Sequence, residues 1–401
     1  MGHSIFRSWS KRNPAKSARQ CAAPLLEGGK PGWAIAFCGG KHDPQGFLGE
    51  LRRELGDIPI IGGSAAGAIT RSGASYSGIE AAVAGFPAGG LPARFVATHG
   101  LARGEASAGR ELGEQVRAVA ADDAVVILFY DNVAATAPLR LHPASPLVDG
   151  FYEGLGGKNV TLIGGGMLTD MNLSDGWVFD GSGLSKHSAV AVILPPDIAA
   201  TTAILHGCRP VSTFMEITRV EGAEIFELDG QPAVEVLERQ LGLRLGTSGA
   251  QDLSLIATLG QKHGDPFAPY DENAYVNRLI LRANTSTGSI TIFEPDFKPA
   301  ARVQIMTRDN GLMIESVRNG SAEMTRQMTG KDMLLALYID CAGRGSARSG
   351  APVEEAEVML EAFDAPVPLI GFYSGVEIAP VNGRSRSLDW TAVLTVLHRR
   401  G

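Results

Sequence analysis

One structural unit occurs three times along this chain, and the repeat constrains the fold more than any other feature. The segments of the first copy are "GWAIAFCGG" at 32–40, "IPIIGGSAAGAI" at 58–69 and "GIEAAVAGF" at 78–86. Those of the second are "DAVVILFYDN" at 123–132, "VTLIGGGMLTD" at 160–170 and "HSAVAVILP" at 187–195. Those of the third are "MLLALYIDCAGR" at 333–344, "VPLIGFYSGVEI" at 367–378 and "DWTAVLTVL" at 389–397. Units too small to bury an apolar face alone must share a core.

The segments between the first two strands of each copy carry apolar side chains at helical spacing. In the first two copies these side chains are Phe47, Leu48, Leu51 and Leu55, and Leu147, Val148, Phe151 and Leu155. In the third copy they are Ala356, Leu360 and Phe363, which follow Pro352. The spacing predicts a helix with one buried face in each copy. Each copy therefore reads as strand, helix, buried strand, glycine turn and strand, with a parallel right-handed β–α–β half and an antiparallel last strand.

Gly62, Gly164 and Gly371 each occupy the position where the buried strand of a copy is expected to end. A residue without Cβ permits a sharp turn and also the close approach of another group. One interpretation is that these glycines serve only the turn. The other is that the turns lie at the carboxyl ends of parallel strands, where open α/β sheets bind ligands.

The region between the second and third copies has a different pattern. Residues 212–230 predict a hairpin around Glu221 and Gly222, and a short helix follows with Asp229 as its cap and Pro232 in its first turn. Residues 274–309 predict a three-stranded antiparallel meander. The predicted fold class is α/β, with two mixed-sheet domains built from the repeats. Copies one and two combine in the N-terminal domain, and copy three extends its sheet with the meander.

Composition and charge exclude several classes of protein. The formal net charge of −7 argues against nucleic acid as the main partner, since phosphate binding depends on clustered Lys and Arg. No apolar stretch approaches the ~20 residues that span a bilayer. The four cysteines form no CxxC pair, which disfavours a disulfide framework or a zinc site and favours a reducing, cytoplasmic location. Residues 1–31 are predicted to be a disordered tail, with an organelle transit peptide as the alternative.

Three longer motifs resemble the FIST family. They are "GGSAAGAI" at 62–69, "HGCRPVSTFMEITRVEGAEIFELDGQPAVEVL" from His206 across the junction, and "CAGRG" followed by "GFYSGVEIAP" near the C-terminus. Two positions depart from the family pattern: Ala68 stands where an acid is common, and "SLDWTAV" replaces a His-Asn-x-Thr ending. The resemblance implies a FIST N-like α/β domain at 32–232 and a FIST C-like α/β domain at 233–401.

The FIST resemblance also implies a function. Its members are sensory modules for small ligands such as amino acids or related metabolites, and some resemble haem-based nitric oxide sensors. The expectation is therefore a stand-alone cytoplasmic sensor that signals through a partner protein such as a histidine kinase or a cyclic-dinucleotide enzyme. Haem-dependent sensing of nitric oxide is the first alternative, and among the histidines His187 and His206 are the candidates for an axial ligand.

The candidate ligand contacts gather around the third copy. Arg344 follows a buried strand between glycines and could hold a carboxylate or phosphate in bidentate fashion. Glu377 is the only acid in the neighbouring turn, so it either binds a ligand amine or pairs with Arg344. Tyr373, beside Gly371, could wall a pocket.

Three further residues complete the candidate set. Cys341 lies just before Arg344 and is either a buried inert thiol or a reactive one. Arg209 lies at the junction of the two domains, where it reaches an interdomain pocket or stays on the surface. Ser64 in "GGSAAG" lacks the Gly-x-Ser-x-Gly spacing of a nucleophile elbow. A hydrolase or transferase that uses Ser64 or Cys341 is the second alternative function, and no metal ligands are predicted.

Overall fold

The computed structural model describes residues 5–9, 13–87, 89–245 and 253–401, with side chains described from residue 13 onward. The helices of this part of the chain are α1 Pro14–Glu27, α2 Pro44–Leu55, α3 Glu105–Val119, α4 Ala144–Leu155, α5 Ala233–Leu241, α6 Asn310–Gln327, α7 Ser346–Ser349 and α8 Glu355–Ala362. Short 3₁₀ turns cover Leu101–Arg103 and Glu272–Ala274. Across these residues, no helix is long and apolar enough to cross a membrane.

Strands make up most of the remaining regular structure. Those of the first half are β1 Ile5–Trp9, β2 Pro31–Gly39, β3 Ile60–Ala65, β4 Ala68–Thr70, β5 Gly73–Ser75, β6 Glu80–Pro87, β7 Arg94–Thr98, β8 Ala124–Asp131, β9 Val133–Thr136, β10 Leu139–Leu141, β11 Val160–Met167, β12 Val178–Gly181, β13 Leu184–Ser185, β14 Ala189–Ile193 and β15 Ile198–Leu205. Those of the second half are β16 Arg209–Pro210, β17 Met215–Glu221, β18 Glu224–Leu228, β19 Gln231–Pro232, β20 Ala257–Lys262, β21 Tyr275–Asn284, β22 Ser289–Ile292, β23 Arg302–Thr307, β24 Met333–Cys341, β25 Leu369–Ser374, β26 Glu377–Val381, β27 Arg384–Leu388 and β28 Ala392–Arg399.

The three repeat units have the same strand pairing, as the sequence predicts. The first and second strands of each copy run parallel: β2 with β3, β8 with β11, and β24 with β25. The last strand of each copy returns antiparallel beside the first: β6 with β2, β14 with β8, and β28 with β24. The predicted helical faces of α2 and α4 are buried, and Leu360 on α8 is partly buried against the core.

The repeat glycines lie inside the strands and not at the turns, so their predicted position was wrong by a few residues. Gly62, Gly164 and Gly371 pair in register with Ala36, Leu128 and Tyr338 of the parallel neighbour. A Cβ at these glycines would meet the carbonyl oxygen of that neighbour at 2.2, 1.9 and 2.3 Å respectively. The repeated glycine is therefore required by a close approach of two backbones.

Gly164→Ala tests this close approach. The new Cβ would overlap the Leu128 carbonyl, and the φ of +154° is unfavourable for a residue with a side chain. We expect the free energy of unfolding to fall by about 2–3 kcal/mol in urea titrations. The matched control is Gly49→Ala in α2, where nothing lies within 4 Å of the new atom, and which should stabilise the protein by about 0.5–1 kcal/mol. Equal effects of the two substitutions would contradict the steric explanation.

The three copies exchange hairpins in a cycle. The hairpin β4–β5 of copy one pairs with β25 of copy three, β26–β27 of copy three pairs with β11 of copy two, and β12–β13 of copy two pairs with β3 of copy one. The rings of Phe37, Phe129 and Phe372 meet where the three sheets face one another, with centroids 4.5–5.8 Å apart. Each copy therefore covers a sheet edge of another copy.

The prediction that the meander extends the sheet of copy three was wrong. The sheet of copy three is extended by β15 and by β4–β5, while β16–β18 and β20–β23 form a separate sheet. The hairpin β17–β18 forms as predicted, and β21 pairs with β22, but β23 pairs with β20 and β17. The division of the chain at 232/233 stays a prediction, and the exchanged hairpins cross it.

Two local predictions were also wrong. The helix α5 begins at Ala233 with Pro232 at its N-cap, and the Asp229 carboxylate instead accepts a hydrogen bond from the Glu216 N–H at 2.7 Å. The described part of the predicted tail is ordered, because α1 buries Ala18, Cys21, Ala22 and Leu25 against the core of copy one. Those four positions have helical spacing, but the surrounding basic and polar residues obscure it.

Candidate functional site

A cavity of about 430 Å³ lies at the carboxyl ends of the parallel strands β24 and β25. We call it the strand-end cavity. On the strand side its wall is formed by the ends of β24 and β25 and the residues that follow them: Cys341, Ala342, Gly343, Ser374 and Gly375. The remaining lining residues come from other parts of the chain: Met171, Leu173, Ser254, Leu255, Leu279, Leu281, Phe293, Ala347, Arg348, Asp389 and Trp390. The cavity therefore lies where parallel strand ends bind ligands in many α/β proteins.

Most of the other side chains that line the cavity are apolar. Leu279 and Leu281 project from β21, Phe293 follows β22, and Met171 and Leu173 come from the segment after β11 in the second copy. Segments from both the first and the second half of the chain thus meet across one cavity. An apolar wall with a few polar groups is typical of sites for small organic ligands.

Trp390 lines the cavity in an unusual backbone conformation. Its φ is +53°, which is costly for a bulky residue and persists only where the surroundings enforce it. Its carbonyl accepts a hydrogen bond from Arg344 Nη1 at 2.9 Å, and the Arg308 guanidinium carbon lies 3.3 Å from the indole ring centroid. Its buried Nε1 has no acceptor among the described residues. An indole N–H without an acceptor beside a cavity is a candidate donor to a ligand.

Glu377 is fully buried behind Ser374. Its Oε1 lies 2.6 Å from Ser374 Oγ, and the same hydroxyl lies 3.1 Å from the Asp340 carbonyl oxygen. Burial raises the pKa of Glu377 well above its ordinary value, against the opposing effect of the Ser374 hydrogen bond. A hydroxyl has one proton to donate, so a protonated Glu377 that donates to Ser374 Oγ, which then donates to Asp340, satisfies both contacts.

Asp389 brings a second acid to the cavity wall. Its Oδ2 accepts a hydrogen bond from the Leu279 N–H at 3.2 Å, and its Oδ1 lies 3.4 Å from Arg278 Nη1. Burial raises the pKa of Asp389, while the Arg278 charge opposes the increase. Cys341 also lines the cavity, and burial together with the nearby Glu377 raises the pKa of its thiol well above the ordinary value. The thiol is therefore protonated at neutral pH, which disfavours a nucleophilic role.

Arg344 does not line the strand-end cavity. Its guanidinium is fully buried: Nε lies 3.0 Å from Glu355 Oε2 and Nη1 donates to the carbonyls of His206 and Trp390. Its ion-pair partners are thus Glu355 and, at 3.5 Å, Asp340, rather than the predicted Glu377. Arg344 fixes the backbone of Trp390, and a direct ligand contact by its guanidinium stays a prediction.

The other predicted residues lie apart from the cavity. The Tyr373 hydroxyl donates to Glu354 at 2.6 Å, and Ser64 bonds the backbone of Trp177 with its hydroxyl. Arg209 lies over the Tyr270 ring and donates to its hydroxyl at 2.7 Å. The structure thus brings Cys341 to the cavity and places Glu377 behind it, with Gly371 inside β25.

The two histidines considered for haem have different surroundings. His206 is buried; its Nδ1 accepts from the Cys208 N–H at 3.0 Å, and its Nε2 lies 3.2 Å from the Glu272 carbonyl. Burial lowers the pKa of His206. His187 Nδ1 lies 3.0 Å from His142 Nε2, whose ring in turn contacts Glu105 at 2.7 Å. Of these two histidines, only His187 has a ring nitrogen, Nε2, that takes part in none of these contacts. The proposal that a histidine holds haem stays a prediction.

Sequence reasoning missed Asp389 and Trp390 as site residues. Both lie in "SLDWTAV", the segment that departs from the family ending, so the departure itself was the available signal. It also missed Met171, which no motif distinguishes. That residue reaches the cavity only because β11 of the second copy lies beside the hairpin of the third.

The geometry defines a class of protein: an α/β protein of mixed sheets with a cavity at the ends of two parallel strands. The FIST N domain family matches residues 32–231, and the FIST C domain family matches residues 233–380. The chain belongs to the FIST family, whose domains are associated with small-ligand sensing and signalling.

Two sequence relatives come from mycobacteria. An uncharacterized protein of Mycobacterium tuberculosis (strain CDC 1551 / Oshkosh) is 26% identical over 254 residues, which make up 63% of this chain and 64% of that protein. An uncharacterized protein of Mycobacterium bovis is 27% identical over 209 residues, or 52% of this chain and 53% of that protein. The chain thus spans less than two thirds of the length of the curated relatives it matches.

Two solved structures align along nearly the whole chain at low similarity. A cyanuric acid hydrolase from A. caulinodans aligns with a TM-score of 0.32 and 9% identity, covering 99% of this chain and 98% of that one. A chorismatase aligns with a TM-score of 0.34 and 10% identity, covering 98% of each chain. Neither alignment establishes a shared fold or activity.

Proposed function

We propose that this FIST protein is a sensor that binds an amino acid or a related small metabolite in the strand-end cavity and signals through a partner protein. The observation that carries the proposal is the cavity itself. It has about 430 Å³ at the ends of β24 and β25, and residues from both family domains line it. Sites of this size and position commonly hold small organic ligands.

The lining favours a ligand with an apolar part and two oppositely charged ends. Asp389 and the exposed Arg348 both line the cavity, and the apolar side chains of Leu279 and Phe293 line the same cavity. An α-amino acid would place its carboxylate against Arg348 and its ammonium group against Asp389. Burial raises the pKa of Asp389 to about 8, and the charge of the ammonium group would lower it again, so that the carboxyl ionises when the ligand binds. The buried Trp390 Nε1 supplies an additional hydrogen-bond donor.

The route to a signal follows from the two-sided wall. Met171 and Leu173 belong to the FIST N domain, whereas Cys341 and Ser374 belong to the FIST C domain. A ligand that contacts both sides changes the relative stability of their arrangements, provided that it binds one arrangement better by a few kcal/mol. In a cytoplasmic sensor the affected surface would act on a partner such as a histidine kinase or a cyclic-dinucleotide enzyme.

A thermal-shift screen of amino acids and organic acids tests the proposal. A ligand at 100 times its dissociation constant should stabilise the folded protein by ~2.7 kcal/mol. Ala347→Trp places a large ring at an exposed position of the cavity lining, so it should abolish the shift while leaving the melting temperature without ligand nearly unchanged. The matched control is Ala102→Trp, an exposed alanine that is not part of the cavity.

The charge assignment has its own control. Arg348→Ala should weaken a carboxylate ligand about tenfold, which corresponds to ~1.4 kcal/mol. Arg302→Ala removes an exposed arginine from β23, outside the cavity, and should leave the affinity unchanged. A hit that survives Ala347→Trp binds elsewhere, and the absence of any hit in a broad panel would refute the assignment of this cavity.

A further inference from the structure

A second cavity, of about 280 Å³, has an excess of positive charge. It lies between α4 and the strands β21 and β27, and we call it the arginine pocket. Its charged lining residues are Arg278, Lys298, Arg384, Arg386, Asp149 and Asp296. Four cations thus line the pocket against two carboxylates, which leaves two positive charges uncompensated within the lining when His263 is neutral. A third acid, Asp389, lies behind the lining at 3.4 Å from Arg278 Nη1, and burial raises its pKa to about 8, so that it is largely protonated at neutral pH.

The pairing within the pocket shows which cations are left over. Arg278 Nε donates to Asp296 at 2.8 Å, and Arg384 Nη2 donates to Asp149 at 2.6 Å. For Arg386 and Lys298, the structure shows no carboxylate within ion-pair distance among the described residues. Both of the unmatched charges therefore belong to side chains that line the cavity.

Arg386 is held in an environment that is unfavourable for a lone cation. Its Nε is buried and has no acceptor within the described part of the chain. Burial lowers the pKa of Arg386, and the charge of the neighbouring Arg384 lowers it further. A half-buried guanidinium without a partner costs free energy, which a bound anion would offset.

His263 adds a neutral donor to the same pocket. Burial and the charges of Arg386 and Arg278 lower its pKa to about 4, so the imidazole is uncharged at neutral pH. Its buried Nε2 has no hydrogen-bond partner among the described residues, so in the tautomer protonated there it can donate to a ligand oxygen. The hydroxyl-bearing residues Ser145, Ser385 and Ser387 also line the cavity.

We infer that the arginine pocket binds a dianionic phosphate group, held by Arg386 and Lys298 with His263 as a neutral donor. The two uncompensated positive charges match the charge of a phosphate dianion, and arginine forks suit its oxygens. The small volume favours free phosphate or the phosphate end of a small ester. This site is separate from the strand-end cavity, and it does not depend on the function proposed for that cavity.

Isothermal titration of the full chain with inorganic phosphate at pH 7.5 and constant ionic strength tests this inference. We expect saturable binding that Arg386→Gln and Lys298→Gln each weaken at least tenfold. The control Arg302→Gln removes an exposed arginine outside the pocket and should leave the phosphate affinity unchanged. Arg386→Gln should also leave the melting temperature in phosphate-free buffer unchanged or higher, because it removes an unpartnered charge, whereas a purely structural arginine would lower it.

Three further titrations distinguish phosphate from other ligands. Acetate at the same ionic strength should bind much more weakly, and phosphate should bind more weakly at pH 5.5, where almost all of it is the monoanion. Glycerol 3-phosphate distinguishes the source, since tighter binding than phosphate indicates a metabolite ester and equal or weaker binding indicates free phosphate. The inference is wrong if millimolar phosphate does not bind, if binding survives the Arg386→Gln, Lys298→Gln double substitution, or if acetate binds equally well.

Discussion

Glu355→Gln is expected to lower the free energy of unfolding by about 3–5 kcal/mol, among the largest effects of any single substitution in this chain. Glu355 and Arg344 are both fully buried, and Arg344 Nε contacts both carboxylate oxygens at 3.1 and 3.0 Å. A neutral amide leaves the guanidinium charge buried with one remaining acid, Asp340, at 3.5 Å. Urea unfolding followed by circular dichroism measures the change.

The control for this prediction lies on the same helix. Glu357 is exposed on α8, so Glu357→Gln should change the free energy of unfolding by no more than about 0.5 kcal/mol. Replacing both partners, as in Arg344→Met with Glu355→Leu, should recover most of the loss because no buried charge remains. A loss below 1 kcal/mol in Glu355→Gln would show that Asp340 ionises and takes over the pairing.

The buried pair also bears on ligand binding. Arg344 Nη1 holds the carbonyl of Trp390, whose positive φ places its ring on the strand-end cavity. Glu355 orients Arg344, and Arg344 holds Trp390, so Glu355 influences the cavity without lining it. A glutamine at 355 should therefore weaken any ligand of the strand-end cavity as well as the fold, whereas a ligand of the arginine pocket should be much less affected.

Local sequence patterns predicted the repeat and its strand directions well. The apolar run at 124–131 and the apolar faces of α2 and α4 are each formed by residues that are close together in the sequence. Such local patterns can be recognised in one copy and compared with those of the next. The cyclic exchange of hairpins could not be predicted in this way. It depends on which of several free sheet edges each hairpin covers, and such pairings join residues as far apart as Ile69 and Gly371.

The site shows the same limit on a smaller scale. The sequence pointed to the ends of β24 and β25 because a glycine-rich segment follows each buried strand, and the strand-end cavity lies there. The sequence could not show that Arg344 turns inward to Glu355. An arginine that contacts a ligand and an arginine that pairs with a buried acid both occur at the same place, directly after a strand. The arginine pocket was missed for a related reason: Lys298, Arg386 and His263 lie on separate segments that meet only in the folded chain.

Glu377→Gln should change how stability depends on pH. The folded pKa of Glu377 is raised well above its unfolded value, so at low pH the carboxyl is protonated in both states and costs nothing. As pH rises above the unfolded pKa of about 4.3, the unfolded chain releases a proton that the folded protein keeps. Each pH unit in that window therefore lowers the free energy of unfolding by ~1.4 kcal/mol in the wild type. Glutamine does not titrate, so the variant lacks this loss.

The measurement is urea unfolding of the wild type and Glu377→Gln at pH 5, 6 and 7. The stability of the variant relative to the wild type should increase from pH 5 to pH 7, by up to ~1.4 kcal/mol for each pH unit that lies below the folded pKa of Glu377. Asp340, Asp389 and Cys341 surround Glu377 but are present in both proteins, so to first order their titration cancels in the difference. The exposed control Glu315→Gln on α6 should give a difference that does not vary with pH. A constant difference for Glu377→Gln would mean that the buried carboxyl is ionised, and the proton chain through Ser374 would then be wrong.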